Sequence, residues 1–228
     1  MQILGIEKVS MVDYPNKIAT TIFTGGCNFR CPFCHNSGIV EQKYPAIDQD
    51  EIFSYLQDRK ALIDAVVVSG GEPTLQPDLE EFITKIKQMG YPVKLDTNGT
   101  NPFILKTLLD KNLLDYVAMD IKTNFEDYNT ITGVKNSNVE NIKVSLDILK
   151  TSGVSYELRT TLVENFHKEE NIIKMSQELA GENILYLQKF VASDNCITKG
   201  LSEVPKITAI NYAELLSKTI NNVALRGY

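Results

Sequence analysis

The chain has no tryptophan, only two histidines and only four cysteines among 228 residues. Each shortage narrows what it can be. Three of the cysteines fall within eight positions, whereas disulfide scaffolds distribute many more along the chain. Nothing at the N-terminus reads as a secretory leader. Charged residues interrupt every hydrophobic run, so no stretch reaches the roughly 20 apolar residues of a membrane span. No basic tract of five or more residues exists and the formal charge is −6, which argues against a general nucleic-acid surface. Low-complexity segments and Ser/Gly-rich linkers are also missing. The expectation is a cytoplasmic protein with no membrane and no nucleic-acid partner. No Ser–His–Asp or Cys–His constellation in the sequence needs explaining.

A chain of this length buries roughly 70% or more of its unfolded surface, enough for one core. Six β-branched, apolar segments read as strands: Lys17 to Thr24, Ala65 to Ser69, Val93 to Asp96, Tyr116 to Ile121, Tyr156 to Leu162 and Ile184 to Phe190. Between them lie helical patterns at Asp48 to Ala61 with Asp48 as N-cap, Pro77 to Met89 with Gly90 as its stop, Asn101 to Asn112, Ser137 to Thr151 and Lys168 to Ala180. A final helix is expected over Ile207 to Val223, and residues 1–17 read as an N-terminal extension before a core of 18–228. Strands alternating with helices predict a single α/β domain with a parallel sheet. The pattern leaves open whether that sheet is flat or closed.

Cys27, Cys31 and Cys34 are separated by three and then two residues, just after the first strand. Thiolates are the usual ligands of iron–sulfur clusters, and a [4Fe–4S] cube held by three of them keeps one iron open. A structural zinc site with His35 or Cys196 as fourth ligand is the alternative; Cys196 otherwise reads as a semi-buried thiol. The single cysteine outside the motif excludes a further ferredoxin-like module. The other polar motifs also sit at strand ends, where parallel α/β folds build their sites. They are Gly70-Gly71-Glu72-Pro73, Asp96-Thr97-Asn98-Gly99 and Asp120-Ile121-Lys122. Glycines permit close backbone approach, a carboxylate matches an ammonium, and Asn-Gly is a turn signal. Arg159 inside a strand needs an anion or an acid such as Glu157. His167, in a charged loop, reads as a solvated histidine.

The cysteine spacing resembles that of the radical S-adenosylmethionine (SAM) superfamily, and Gly70-Gly71-Glu72-Pro73 is similar to its GGEP element. Met11 to Lys17, Phe23 to Asn36 and Leu187 to Phe190 resemble, within it, the activating proteins of anaerobic ribonucleotide reductase, a glycyl radical enzyme. The resemblance implies a partial (β/α)6 TIM-like barrel. It also implies reductive cleavage of SAM at the cluster to methionine and a 5′-deoxyadenosyl radical, and a glycyl radical formed on a partner enzyme. Flavodoxin or ferredoxin is then the implied electron donor. Carried over by motif, Gly70, Gly71 and Glu72 would bind the SAM amino group, Lys122 and Arg159 its carboxylate, and Phe33 the adenine. Thr97, Asn98, Gln188 and His35 would complete the SAM site. Asp96, Thr97 and Asp120 would hold a monovalent cation, with the Ala118 carbonyl a weaker candidate. Rival readings are a small-molecule enzyme such as a 7-carboxy-7-deazaguanine synthase and a non-catalytic iron–sulfur carrier.

Overall fold

The structure is a computed structural model describing residues 1–228. Eight strands form one sheet in which spatial order follows chain order: β1 (Ile3–Ser10), β2 (Ala19–Thr24), β3 (Ala65–Gly70), β4 (Val93–Thr97), β5 (Tyr116–Asp120), β6 (Ser155–Leu162), β7 (Leu185–Lys189) and β8 (Val223–Arg226). β1 runs antiparallel to β2, while the β2–β3, β3–β4, β6–β7 and β7–β8 pairs are parallel. Helices α1 (Ser37–Val40), α2 (Gln49–Asp58), α3 (Leu79–Gln88), α4 (Pro102–Asp110), α5 (Tyr128–Thr132), α6 (Val139–Ser152), α7 (Glu169–Glu178) and α8 (Lys206–Leu216) lie in the connections.

All six expected strands are present, and two more join them at the sheet edges. β1 occupies part of the segment read as an extension, and β8 follows a helix that is shorter than expected. α8 stops at Leu216, where Ser217 caps it, so the single helix expected over Ile207 to Val223 is corrected to a helix, a turn and a strand. The chain enters β8 by parallel pairing with β7, Leu185 opposite Val223.

Internal contacts divide the chain into two units. The first comprises Met1–Asn28, Gly38–Ala118 and Asn141–Ser155; the second comprises Phe29–Ser37, Met119–Glu140 and Tyr156–Tyr228. In the first, Ala65, Val66, Val67 and Val68 of β3 are wholly buried, as a central parallel strand covered on both faces requires. α3 turns Leu79, Phe82, Ile83 and Ile86 inward. Each such side chain contributes roughly 1.5–3 kcal/mol when buried, and Glu80 with Glu81 at its start and Lys85 with Lys87 at its end suit the helix dipole. The second unit is built around Leu158, Leu162, Ile172, Met175, Leu185, Leu187 and Leu216, all buried.

Candidate active site

In the first unit, the turn after β3 lies directly on the loop after β2. The Gly71 N–H donates to the Thr24 carbonyl and the Glu72 N–H to the Gly26 carbonyl, both at 2.9 Å. A Cβ on Gly71 would lie 1.7 Å from the Gly26 oxygen, and one on Gly70, whose φ is +120°, 2.3 Å from the Thr24 nitrogen. These glycines therefore let two stretches of backbone touch. That is a different reason from close approach to a ligand, and it locks the glycine turn to the segment carrying Cys27.

Glu72 is fully buried. Its Oε1 accepts from the Thr74 N–H (3.1 Å), the Thr74 hydroxyl (2.6 Å) and the Thr97 hydroxyl (2.7 Å), and its Oε2 from the Asn98 N–H (2.7 Å). Burial raises its pKa, opposed by these neutral donors. The carboxylate expected to meet a SAM ammonium thus faces inward, onto protein groups. Thr97 and Asn98 belong to the same lattice. On β4, Asp96 accepts from Lys94 Nζ at 2.7 Å and from the Ser69 hydroxyl at 3.0 Å. Lys94 is only 2% exposed. Residues two apart on a strand share a face, so this pairing was readable as Lys94-Leu95-Asp96.

The second unit carries a charged counterpart. Asp120 accepts from Lys122 Nζ and from Arg159 Nε, each at 2.9 Å. Burial would raise the Asp120 carboxyl, but the Arg159 and Lys122 cations overcome this and hold it at about 2. Burial likewise pulls the Lys122 ammonium down, while Asp120 and Cys31 push it up and prevail. Arg159 therefore answers to Asp120; the acid beside it in sequence, Glu157, pairs instead with Arg226 at 3.1 Å. His167 is corrected from solvated to buried. Its Nδ1 accepts the Val163 N–H at 3.0 Å, so Nε2 carries the proton and donates to the Lys122 carbonyl at 2.8 Å. The charged neighbours that suggested solvent point away while the imidazole turns inward to pin the backbone of Lys122. Tyr128 adds a second clamp, its hydroxyl accepting the Lys122 N–H at 3.0 Å.

Phe33 is buried against Phe166, ring centroids 6.3 Å apart, and His35 rests on Phe190 with Nδ1 3.3 Å from the Ser193 hydroxyl. Cys196 is buried, 3.9 Å from His35 Nδ1. Gln188 lies half-buried on β7, in register with Thr161 and Arg226.

Cys31 is buried, with Cys27 and Cys34 half-buried. Burial pushes the Cys31 thiol to about 11 and raises that of Cys34; the Lys122 cation opposes both. No three His, Cys, Asp or Glu side chains converge on a single ion. Three thiols on one loop, two of them under the influence of the Lys122 cation, fit an anionic iron–sulfur cluster. Asp96 is paired with Lys94, and Asp120 with Lys122 and Arg159.

Residues 21–175 match the radical SAM superfamily. The chain belongs to that superfamily. It is 34% identical over 229 residues to a Methanocaldococcus jannaschii protein named provisionally as a glycyl-radical enzyme activating enzyme, covering 97% of this chain and 94% of that one. It is also 34% identical to a Saccharolobus solfataricus protein named provisionally as a GTP 3′,8-cyclase, covering 72% of this chain but 54% of the relative. Among solved structures, a radical SAM methyltransferase from Sphaerobacter thermophilus superposes with a TM-score of 0.71 at 15% identity, over 93% of this chain and 67% of that one. That likeness shows the fold, the partial TIM-like barrel of parallel strands implied by the motifs.

Of the residues singled out from sequence, Glu72, Thr97 and Asn98 are joined in one lattice, and Asp120, Lys122 and Arg159 in another. Phe33, His35 and Gln188 belong to neither. Thr74 in the first network, with Asn28 and Thr100 bonded to Asn98, and Tyr128 and His167 in the second, were not anticipated, nor was the separate Lys94–Asp96 pair. Except for the Lys94–Asp96 spacing, nothing local in the sequence marks them.

Proposed function

We propose that the protein is a radical SAM activase that places a glycyl radical on a partner enzyme, an anaerobic ribonucleotide reductase being the first partner to test. The observation that carries this reading is the 34% identity to a relative named provisionally as such an activating enzyme, matched over nearly the full length of both chains. The likeness to the cyclase leaves nearly half of that relative unmatched, so it supports the shared radical SAM portion and not the cyclisation.

When bound, the cluster and SAM supply a one-electron reductive cleavage that yields methionine and a 5′-deoxyadenosyl radical; the protein's task is binding and orientation. Cys27, Cys31 and Cys34 hold three irons. With Glu72 turned inward, the SAM amino group falls to the polar backbone of Gly70 and Gly71. Lys122 and Arg159 are the cations available to the SAM carboxylate, shared with Asp120. The electron comes from a flavodoxin or ferredoxin, since the chain has thiols for only one cluster.

The test is anaerobic reconstitution with iron, sulfide, SAM and reductant, followed by mixing with candidate glycyl radical enzymes from the same source. A glycyl-radical EPR doublet on the partner, absent when SAM is omitted or when Cys31→Ala is used, is the expected result. SAM cleavage without radical on any partner, or turnover of a pterin or GTP, would overturn the activase reading.

A further inference from the structure

Asn98 is 5% exposed, and both ends of its side chain are committed. Its Oδ1 accepts the Thr100 N–H at 3.0 Å and the Thr100 hydroxyl at 2.7 Å. Two donors on that side fix the orientation of the amide, because a flipped group would set N–H against N–H. The amide nitrogen therefore faces Asn28 Oδ1, at 2.8 Å, and the Cys27 sulfur, at 4.0 Å. Asn28 Nδ2 in turn donates to the Thr100 hydroxyl oxygen at 2.8 Å, closing a ring of three side chains that includes the residue following Cys27.

The backbone under this ring is held as tightly. Glu72 Oε2 accepts the Asn98 N–H at 2.7 Å, the Ser145 hydroxyl donates to the Gly99 carbonyl at 2.7 Å, and Asn141 Nδ2 donates to the Thr100 carbonyl at 3.0 Å. All of these residues belong to the first unit. Turn geometry after β4 would need only a fraction of them. What the lattice adds is an N–H of fixed direction, kept from water, aimed at a sulfur.

We propose that Asn98 is a potential-setting residue: its amide donates a hydrogen bond to the Cys27 thiolate, and Glu72, Thr100 and Asn28 are positioning residues that hold the donor in place. This rests on the reading that Cys27 is a cluster ligand. Hydrogen bonds to cluster sulfurs, burial and charge are the protein's means of setting reduction potential. A donor on the thiolate withdraws charge from the cluster, stabilises the reduced form and eases entry of the electron. The Glu72 carboxylate then acts on the cluster through the peptide N–H of Asn98.

The test is an EPR-monitored redox titration of the anaerobically reconstituted protein without SAM, comparing wild type with Asn98→Ser and Thr100→Val. Asn98→Ser replaces the amide with a hydroxyl one atom shorter, drawing the donor back from Cys27 without adding charge. It is expected to make reduction about tenfold less favourable against a fixed donor, 59 mV for one electron, at unchanged iron content. Thr100→Val leaves Asn98 in place but frees its orientation, and a smaller shift of the same sign, about threefold, is expected. An unshifted potential in fully loaded Asn98→Ser overturns the inference. Should that variant fail to fold, Thr100→Val decides alone, with a downward shift supporting the assignment and an unchanged potential refuting it. A wild-type protein with no reducible cluster would instead overturn the reading on which the inference rests.

Discussion

Glu72 and Asp120 are acids of the same kind at the same kind of place, just past or at the end of a buried parallel strand, and the chain treats them in opposite ways. Glu72 is satisfied by four hydrogen bonds from Thr74, Thr97 and Asn98, none of them from a charged group. Asp120 is satisfied by an ammonium and a guanidinium. Burial raises the proton affinity of the first and loses to two cations at the second. Neutral donors can satisfy a carboxylate geometrically without repaying its desolvation, whereas opposite charge does both. The Glu72 region therefore reads as scaffold, and the Asp120 region as a charge reservoir within reach of Cys31.

The contrast is broken most strongly by Asp120→Asn. Removing the acid from this half-buried cluster takes one counter-charge from Lys122 and Arg159, and a loss on the order of 3 kcal/mol is expected in equilibrium urea unfolding of the metal-free protein. If Asp120→Asn is neutral, the acid is not the counter-ion of these two cations. Glu72→Gln should cost less, about 1–3 kcal/mol, because the amide that replaces Oε2 or Oε1 meets a donor with a donor. SAM affinity of the reconstituted protein is expected to be nearly unchanged in this variant. A tenfold loss with intact stability would restore Glu72 as a ligand.

The smallest and sharpest test is pH. The Asp120 carboxyl falls from 3.8 to about 2, so its contribution, on the order of 2 kcal/mol, is complete above about pH 4 and is lost as pH falls through about 2. For Glu72 the sign reverses. With its folded pKa above 4.5, it costs stability as pH rises through that raised value. Stability profiles from pH 2 to 7 should therefore lose their acid limb in Asp120→Asn and flatten on the neutral side in Glu72→Gln. Identical profiles for both variants would show that the two acids do not differ.

Much of the fold was legible because its signal is local. Ala65-Val66-Val67-Val68 can be little other than a buried strand, and Asp48 caps α2 as its position suggests, accepting the Asp50 N–H at 2.8 Å. β1 and β8 were not legible. They are edge strands, one with three successive exposed residues and the other only four residues long without a buried position, so neither alternates. At the site, the thiol spacing and the glycine turn could be read because they are contiguous. The partners of Glu72 lie 2, 25 and 26 positions away, and His167 reaches Lys122 across 45. Such pairings arise from strand order, which composition and period do not encode. His167 shows the hazard plainly: its flanking charges described the loop's outer surface and not the one side chain that turns in.

The contact between the Gly71 turn and the Gly26 carbonyl has a further consequence. With no room for even a methyl group between them, the two loops behave mechanically as one piece, and a shift imposed on either is handed to the other undiminished. A descendant of this chain could not remodel its cysteine loop for a new guest while leaving the neighbouring turn as it was; the two would have to be rewritten together.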